Sequence, residues 1–120
     1  MKEKHVIELD VVALSDIEDP GSREFSSEEG DWPFRGFVVR YKNNIYAYQN
    51  YCMHAGHQLN WQSNEFLTFD KNQIICASHG AIYDIESGLC VLGPCKGKKL
   101  RKIECFIRND RVLVRCPESL

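Results

Sequence analysis

One hundred and twenty residues is the size of one domain with a modest core, and 43% apolar with 27% charged side chains is ordinary for a globular chain. A net charge of −2 gives no chain-wide attraction for nucleic acid, and no apolar run approaches the roughly 18 residues of a membrane span. Met1-Lys2-Glu3-Lys4-His5 has neither the apolar stretch of a secretion signal nor a twin-arginine pair, so a cytoplasmic protein without a membrane anchor is expected.

Along the chain the pattern is all-β. Ile7, Leu9 and Val11 alternate with Glu8 and Asp10, which predicts a first strand. Residues 19–35, with Pro20-Gly21, a Ser/Glu/Gly run and Pro33, read as one long polar excursion. Phe37–Tyr41 and Ile45–Tyr48 flank Asn43-Asn44, a dipeptide that tolerates the positive φ of a tight hairpin turn. Glu65–Phe69 and Gln73–Cys76 repeat the arrangement around Asp70-Lys71-Asn72, and Ile82–Ile85 with Leu89–Val91 do so around Glu86-Ser87-Gly88. Ile103–Arg108 and Arg111–Cys116 close the series around Asn109-Asp110, a register that sets Cys105 opposite Val114. Four hairpin signals at short spacing, with no long amphipathic helix, predict a small antiparallel barrel or sandwich.

Two cysteine–histidine pairs interrupt this pattern. Cys52-Met53-His54 and Cys76-Ala77-Ser78-His79 are separated by 21 residues, and each pair offers one thiolate and one imidazole. Beside strands, loops combine rigid roots with backbone N–H groups able to point at sulfur. Four such donors suffice for a binuclear iron–sulfur centre with two sulfur and two nitrogen ligands. The same residues also admit a structural Cys2His2 zinc module, or unrelated core cysteines and surface histidines. Zinc fits less well, because the spacing is unlike that of common zinc fingers and the chain is long enough to build a core without metal.

The segments Tyr51–Leu59 and Cys76–Asp84, followed by Gly88-Leu89-Cys90-Val91-Leu92-Gly93-Pro94-Cys95, resemble the two cluster-binding loops and the proline-containing third loop of Rieske [2Fe–2S] proteins, over about Gly36 to Val114. The resemblance implies a single Rieske domain over 1–120, with a small β cluster-binding subdomain at about 51–95 set on an antiparallel basal barrel or sandwich. It implies that Cys52 and Cys76 hold the inner iron, and His54 and His79 the outer one. Two ferric ions, two sulfides and two cysteinates sum to zero, so reduction takes the centre from 0 to −1, whereas an all-cysteine centre goes from −2 to −3. Histidine ligation therefore raises the potential, to about −150 to +300 mV against about −400 mV for plant-type ferredoxins. Reduction also raises the pKa of the ligands' second ring nitrogens, so the potential should fall with pH above the oxidised-state pKa.

High-potential members carry a serine two positions after the second histidine, a tyrosine four positions after it, and a disulfide between the loops. Here Ala81 replaces the serine and the pair His57 and Ser78 cannot form the bridge, which points to the low-potential, ferredoxin-like group. Tyr83 departs from the phenylalanine common in that group and keeps the hydroxyl that the resemblance implies as a donor to sulfur, which would lift the potential slightly. Cys90 and Cys95 fit either a local disulfide or small groups covering the cluster, and in the cytoplasm reduced thiols are expected. Cys105 and Cys116 read as core-face strand residues, Trp61 as packing under the first loop, and His57 as a non-ligand. The run Lys96, Lys98, Lys99, Arg101, Lys102 is either a solvated face or a docking patch for an acidic redox partner.

With no nucleotide-binding loop, second metal site or nucleophile–base pair, the expected protein is no enzyme but a monomeric one-electron carrier. It would pass electrons from a reductase to a terminal oxygenase or other oxidoreductase, as the ferredoxin components of ring-hydroxylating dioxygenases do. The alternative is a Rieske-like small subunit of a larger oxidoreductase, such as a nitrite reductase.

Overall fold

The computed structural model describes residues 6–27, 34–51, 59–60, 64–76, 80–93 and 96–117. These form nine strands: β1 (Val6–Ala13), β2 (Gly21–Ser27), β3 (Phe34–Tyr41), β4 (Asn44–Gln49), β5 (Ile74–Ile75), β6 (Ile82–Tyr83), β7 (Cys90–Leu92), β8 (Glu104–Arg108) and β9 (Arg111–Pro117). A single 3-10 turn, Leu14–Asp16, is the one helical element among the described residues, and none of their helices is long and apolar enough to cross a membrane. The strands make three antiparallel three-stranded sheets, in the orders β1-β9-β8, β2-β3-β4 and β5-β6-β7. This is the all-β, antiparallel architecture expected from the hairpin signals.

The middle sheet is the common wall of two cores. Successive side chains of a strand point to opposite faces. On β3, Phe37 and Val39 accordingly join one core while Val38 joins the other, and on β4 Tyr48 and Ala47 divide in the same way. The first core gathers Phe37, Val39 and Tyr48 with Leu59, Phe66, Ile74, Cys76, Ala81, Tyr83, Ile85, Cys90 and Leu100. The second gathers Val38 and Ala47 with Val12, Phe25, Phe34, Ile103, Val112, Val114 and Cys116. Burial on both faces explains why residues 37–39 form an unbroken apolar run rather than an alternating one.

The last hairpin turns at Asn109-Asp110, both at positive φ (52° and 63°), and places Cys105 opposite Val114 as expected. Cys116 is fully buried and Cys105 packs against the same core. Two expectations are corrected. The hairpin β3–β4 turns at Lys42-Asn43 (φ 51° and 63°), one residue earlier than Asn43-Asn44, and Asn44 already pairs with Tyr41. The stretch 19–35 is not one irregular excursion. Residues 21–27 are β2, paired along its length with β3, and β3 begins at Phe34, while 28–33 lie outside the described residues. The sequence of β2 lacks β-branched residues, so its strand state comes from tertiary pairing rather than propensity. Its one aromatic, Phe25, lies over Gly36 of β3 so closely that any Cβ there would strike the ring.

Candidate metal centre

Of the four candidate ligands, Cys76 belongs to the described residues, whereas Cys52, His54 and His79 lie outside them, as do His57, Trp61, Ser78 and Cys95. Cys76 follows β5 directly and is fully buried. Its backbone is held on both sides: its N–H donates to the Ala81 carbonyl (2.9 Å), and its carbonyl accepts from the Gly80 N–H (2.8 Å). Gly80 takes φ +70°, which lets the chain reverse there. These two bonds fix both ends of the segment 77–79, which contains His79.

The ends of the first candidate segment are fixed by a side chain. Asn50 is buried, and its own N–H donates to the Arg35 carbonyl of β3 (2.9 Å). Its Oδ1 accepts from the Leu59 N–H (2.7 Å), and its Nδ2 donates to Asn60 Oδ1 (2.9 Å). Residues 51–58, which include Cys52 and His54, are thus closed at their base by one asparagine. Asn60 reaches on toward Glu24 Oε2 (3.5 Å), and Asn64, at φ 66°, accepts from the Glu24 N–H through Oδ1 (2.9 Å) and from the Ser22 hydroxyl through its carbonyl (2.6 Å). Three asparagines thereby fasten the chain after the first pair to β2 and β3. Sequence reasoning passed over all three, and the one available signal was an asparagine two residues before Cys52.

The third segment packs on the second. Gly93, at φ +105°, lies so near Ala81 that an added Cβ would stand 3.0 Å from the Ala81 Cα. Gly88, at φ +75°, leaves room for the Tyr48 ring, to which an added Cβ would come within 2.7 Å. Tyr48 is fully buried, and its hydroxyl donates to the Ile85 carbonyl (2.6 Å), so β4 is tied to the connection between β6 and β7. Burial drives the Tyr48 hydroxyl pKa strongly upward, so it stays a donor at any physiological pH. Tyr83 is fully buried and pairs with Ile74 and Cys90 in the sheet β5-β6-β7.

The chemistry of this neighbourhood fits a metal centre. Cys76 is fully buried in a cluster of apolar and aromatic side chains. A thiolate is costly to hold in such surroundings unless a cation stands against it, and a ferric ion is such a cation. Among the described residues no three potential ligands gather, since three of the four candidates lie beyond them.

The Rieske [2Fe-2S] domain family matches residues 9–113. Among solved structures, the ferredoxin of carbazole 1,9a-dioxygenase from Nocardioides aromaticivorans IC177 is similar at a TM-score of 0.71, with 22% identity over 92% of this chain and 97% of that one. A chain in a complex of reduced oxygenase and oxidized ferredoxin in carbazole 1,9a-dioxygenase gives 0.72, with 24% identity over 95% and 97% of the two chains. The Sphingomonas yanoikuyae B1 ferredoxin gives 0.69, with 17% identity over 92% and 100%. At these identities the likeness establishes the fold. No curated protein sequence matches the chain.

Proposed function

This chain belongs to the Rieske [2Fe–2S] domain family, whose cofactor is a [2Fe–2S] cluster, and from that premise we propose that it is a one-electron carrier and not itself an enzyme. The observation that carries the reading is the family match over residues 9–113, which spans both cysteine–histidine pairs. Cys52 and Cys76 supply the thiolates, and His54 and His79 the imidazoles. Residues 51–95 form a cluster-binding subdomain within a single domain. Supporting this, among the described residues most of the first core comes from this stretch and none of the second does.

The cluster, when bound, takes up and gives back one electron. The chain's part is to hold it still and keep water from its buried side. Backbone bonds of Cys76 and the Asn50 bond to Leu59 hold the residues that flank the ligand segments, while Leu59, Phe66 and Tyr83 are buried in the core that contains Cys76. The protein works in the cytoplasm as a monomer, receiving electrons from a reductase and passing them to a terminal oxygenase or another oxidoreductase. Similarity to ferredoxins of dioxygenase systems, one of them in a structure together with its oxygenase, supports the second half of that route.

The test is iron and acid-labile sulfide analysis with a low-temperature EPR spectrum of dithionite-reduced, anaerobically purified protein. Equal iron and sulfide with the rhombic signal of a histidine-ligated cluster is expected. Zinc alone, or no metal after reconstitution, refutes the carrier. Stable co-purification with one large oxidoreductase would make it a subunit instead.

A further inference from the structure

Five of the chain's fifteen cationic side chains fall within seven residues, Lys96, Lys98, Lys99, Arg101 and Lys102, and the stretch Ser87–Ile103 holds no acidic residue. All five are exposed, and among the described residues none makes an ion pair. The contrast with the sheet β1-β9-β8 is sharp. There Arg108, Arg111 and Arg115 are matched by Glu8, Asp10 and Glu104.

The strip is not a loose tail. Its backbone is laced to β7 and its approach at one end, through Gly97 N–H to Cys90 O (3.0 Å), Cys90 N–H to Lys98 O (2.7 Å) and Leu100 N–H to Gly88 O (2.9 Å). At the other end it is laced to β4, through Gln49 N–H to Arg101 O (2.9 Å) and Ile103 N–H to Ala47 O (2.9 Å). Leu100 is sunk in the core that holds Cys76. The strip also starts beside the candidate centre: the Lys96 N–H donates to the Gly93 carbonyl, Gly93 abuts Ala81, and Ala81 is bonded to Cys76. Just before it, Val91 and Leu92 are exposed, Leu92 at 61%.

We propose that residues 96–102, with Val91 and Leu92 at their edge, form the docking surface for an acidic face of the protein that exchanges electrons with this chain. The inference rests on the carrier reading. Exposed apolar side chains beside unpaired charge suit a transient protein interface. Phosphate backbones would have no use for Val91 and Leu92. Charge held in a fixed strip beside the candidate centre raises encounter rates about 10- to 1,000-fold at low salt without requiring a long-lived complex.

The cluster-loaded protein, reduced and mixed with hexacyanidoferrate(III), hands over one electron and leaves hexacyanidoferrate(II). The second-order rate constant is followed from about 10 to 300 mM salt, over which the Debye length shrinks from about 30 Å to under 8 Å. A field set by the strip makes the rate fall severalfold with salt, although the whole chain is negative. It also makes the rate with hexaammineruthenium(III), a cation, rise. Poly-L-glutamate at low salt should slow the first reaction. The variant K98Q/K99Q/R101Q/K102Q, checked for an unchanged EPR signal and for its midpoint potential, should flatten or invert the salt dependence and ignore poly-L-glutamate. A rate with the anion that rises with salt, or a variant that behaves like the parent, overturns the docking strip and leaves the carrier standing. Binding of duplex DNA at 150 mM salt overturns the protein-partner assignment. A chain that binds no cluster overturns both readings.

Discussion

Replacing Asn50 by alanine removes the side chain that closes the segment carrying Cys52 and His54. Two bonds are lost, from the Leu59 N–H and to Asn60 Oδ1, while the Asn50 N–H keeps its bond to Arg35. Leu59 is fully buried, so its N–H finds no water in exchange. An orphaned buried donor costs about 1–3 kcal/mol, and the half-buried bond to Asn60 adds about 0.5–1.5, for a total of roughly 2–4 kcal/mol. That is a large part of the 5–15 kcal/mol typical of a domain. The direct assay is native-state hydrogen exchange. Losing about 1–3 kcal/mol at this bond should speed exchange of the Leu59 amide roughly 5- to 150-fold. The variant should also lose its iron to a chelator faster. Asn60→Ala, which deletes the second bond and the long contact to Glu24 but spares the bond between Asn50 and Leu59, should destabilise by about 0.5–1.5 kcal/mol and leave the Leu59 amide protected. Parent-like exchange at Leu59 in N50A would show that the asparagine does not close the segment.

Tyr48→Phe leaves the Ile85 carbonyl without its donor and should cost about 1–3 kcal/mol, read by chemical denaturation; Gly88→Ala, strained at positive φ and pressed on the same ring, should cost at least as much. Burial pushes the thiols of Cys116 and Cys105 up to about 11 from an ordinary 9.0. The folded chain therefore holds those protons more tightly than the unfolded one, and the stability they contribute is complete below pH 9 and lost as pH rises through 11. For Cys116, after a discount for screening at the strand end, this is about 1–2 kcal/mol, so the gap in melting temperature between parent and Cys116→Ala should narrow from pH 8 to pH 11. Tyr83→Phe removes a hydroxyl that the family resemblance assigns as a donor to sulfur, and should lower the midpoint potential by some tens of millivolts, on the order of one hydrogen bond. An unchanged potential would reduce Tyr83 to packing.

The hairpins β3–β4 and β8–β9 were legible because asparagine and aspartate leave a local mark of positive φ, although Lys42 hid the true first position of the β3–β4 turn. β2 was not, since Ser22, Arg23 and Glu24 carry no strand preference and are held by β3, twelve or more residues away. Cys76 stood out because thiolate–imidazole spacing is chemistry written into adjacent residues. Asn50 did not, because a buried asparagine and a surface one look alike until the chain brings Leu59 to it. The same limit applies to the basic run: composition reveals its charge, but only the fold shows that, among the described residues, none of its five cations is paired while the arginines of β8 and β9 are.

The two-faced middle sheet bears on how the chain comes to carry a metal at all. Cys76, the one candidate ligand among the described residues, belongs to the other core and not to the one formed by Val12, Phe25, Phe34, Val38, Ala47, Ile103, Val112, Val114 and Cys116. That half is held by aliphatic and aromatic burial and by strand pairing between β1, β9 and β8, so it has a reason to fold before any iron arrives. The newly made polypeptide would then meet the cell's cluster-assembly machinery as a finished platform with an unfinished top, and acquisition of the cofactor would complete one core rather than create both.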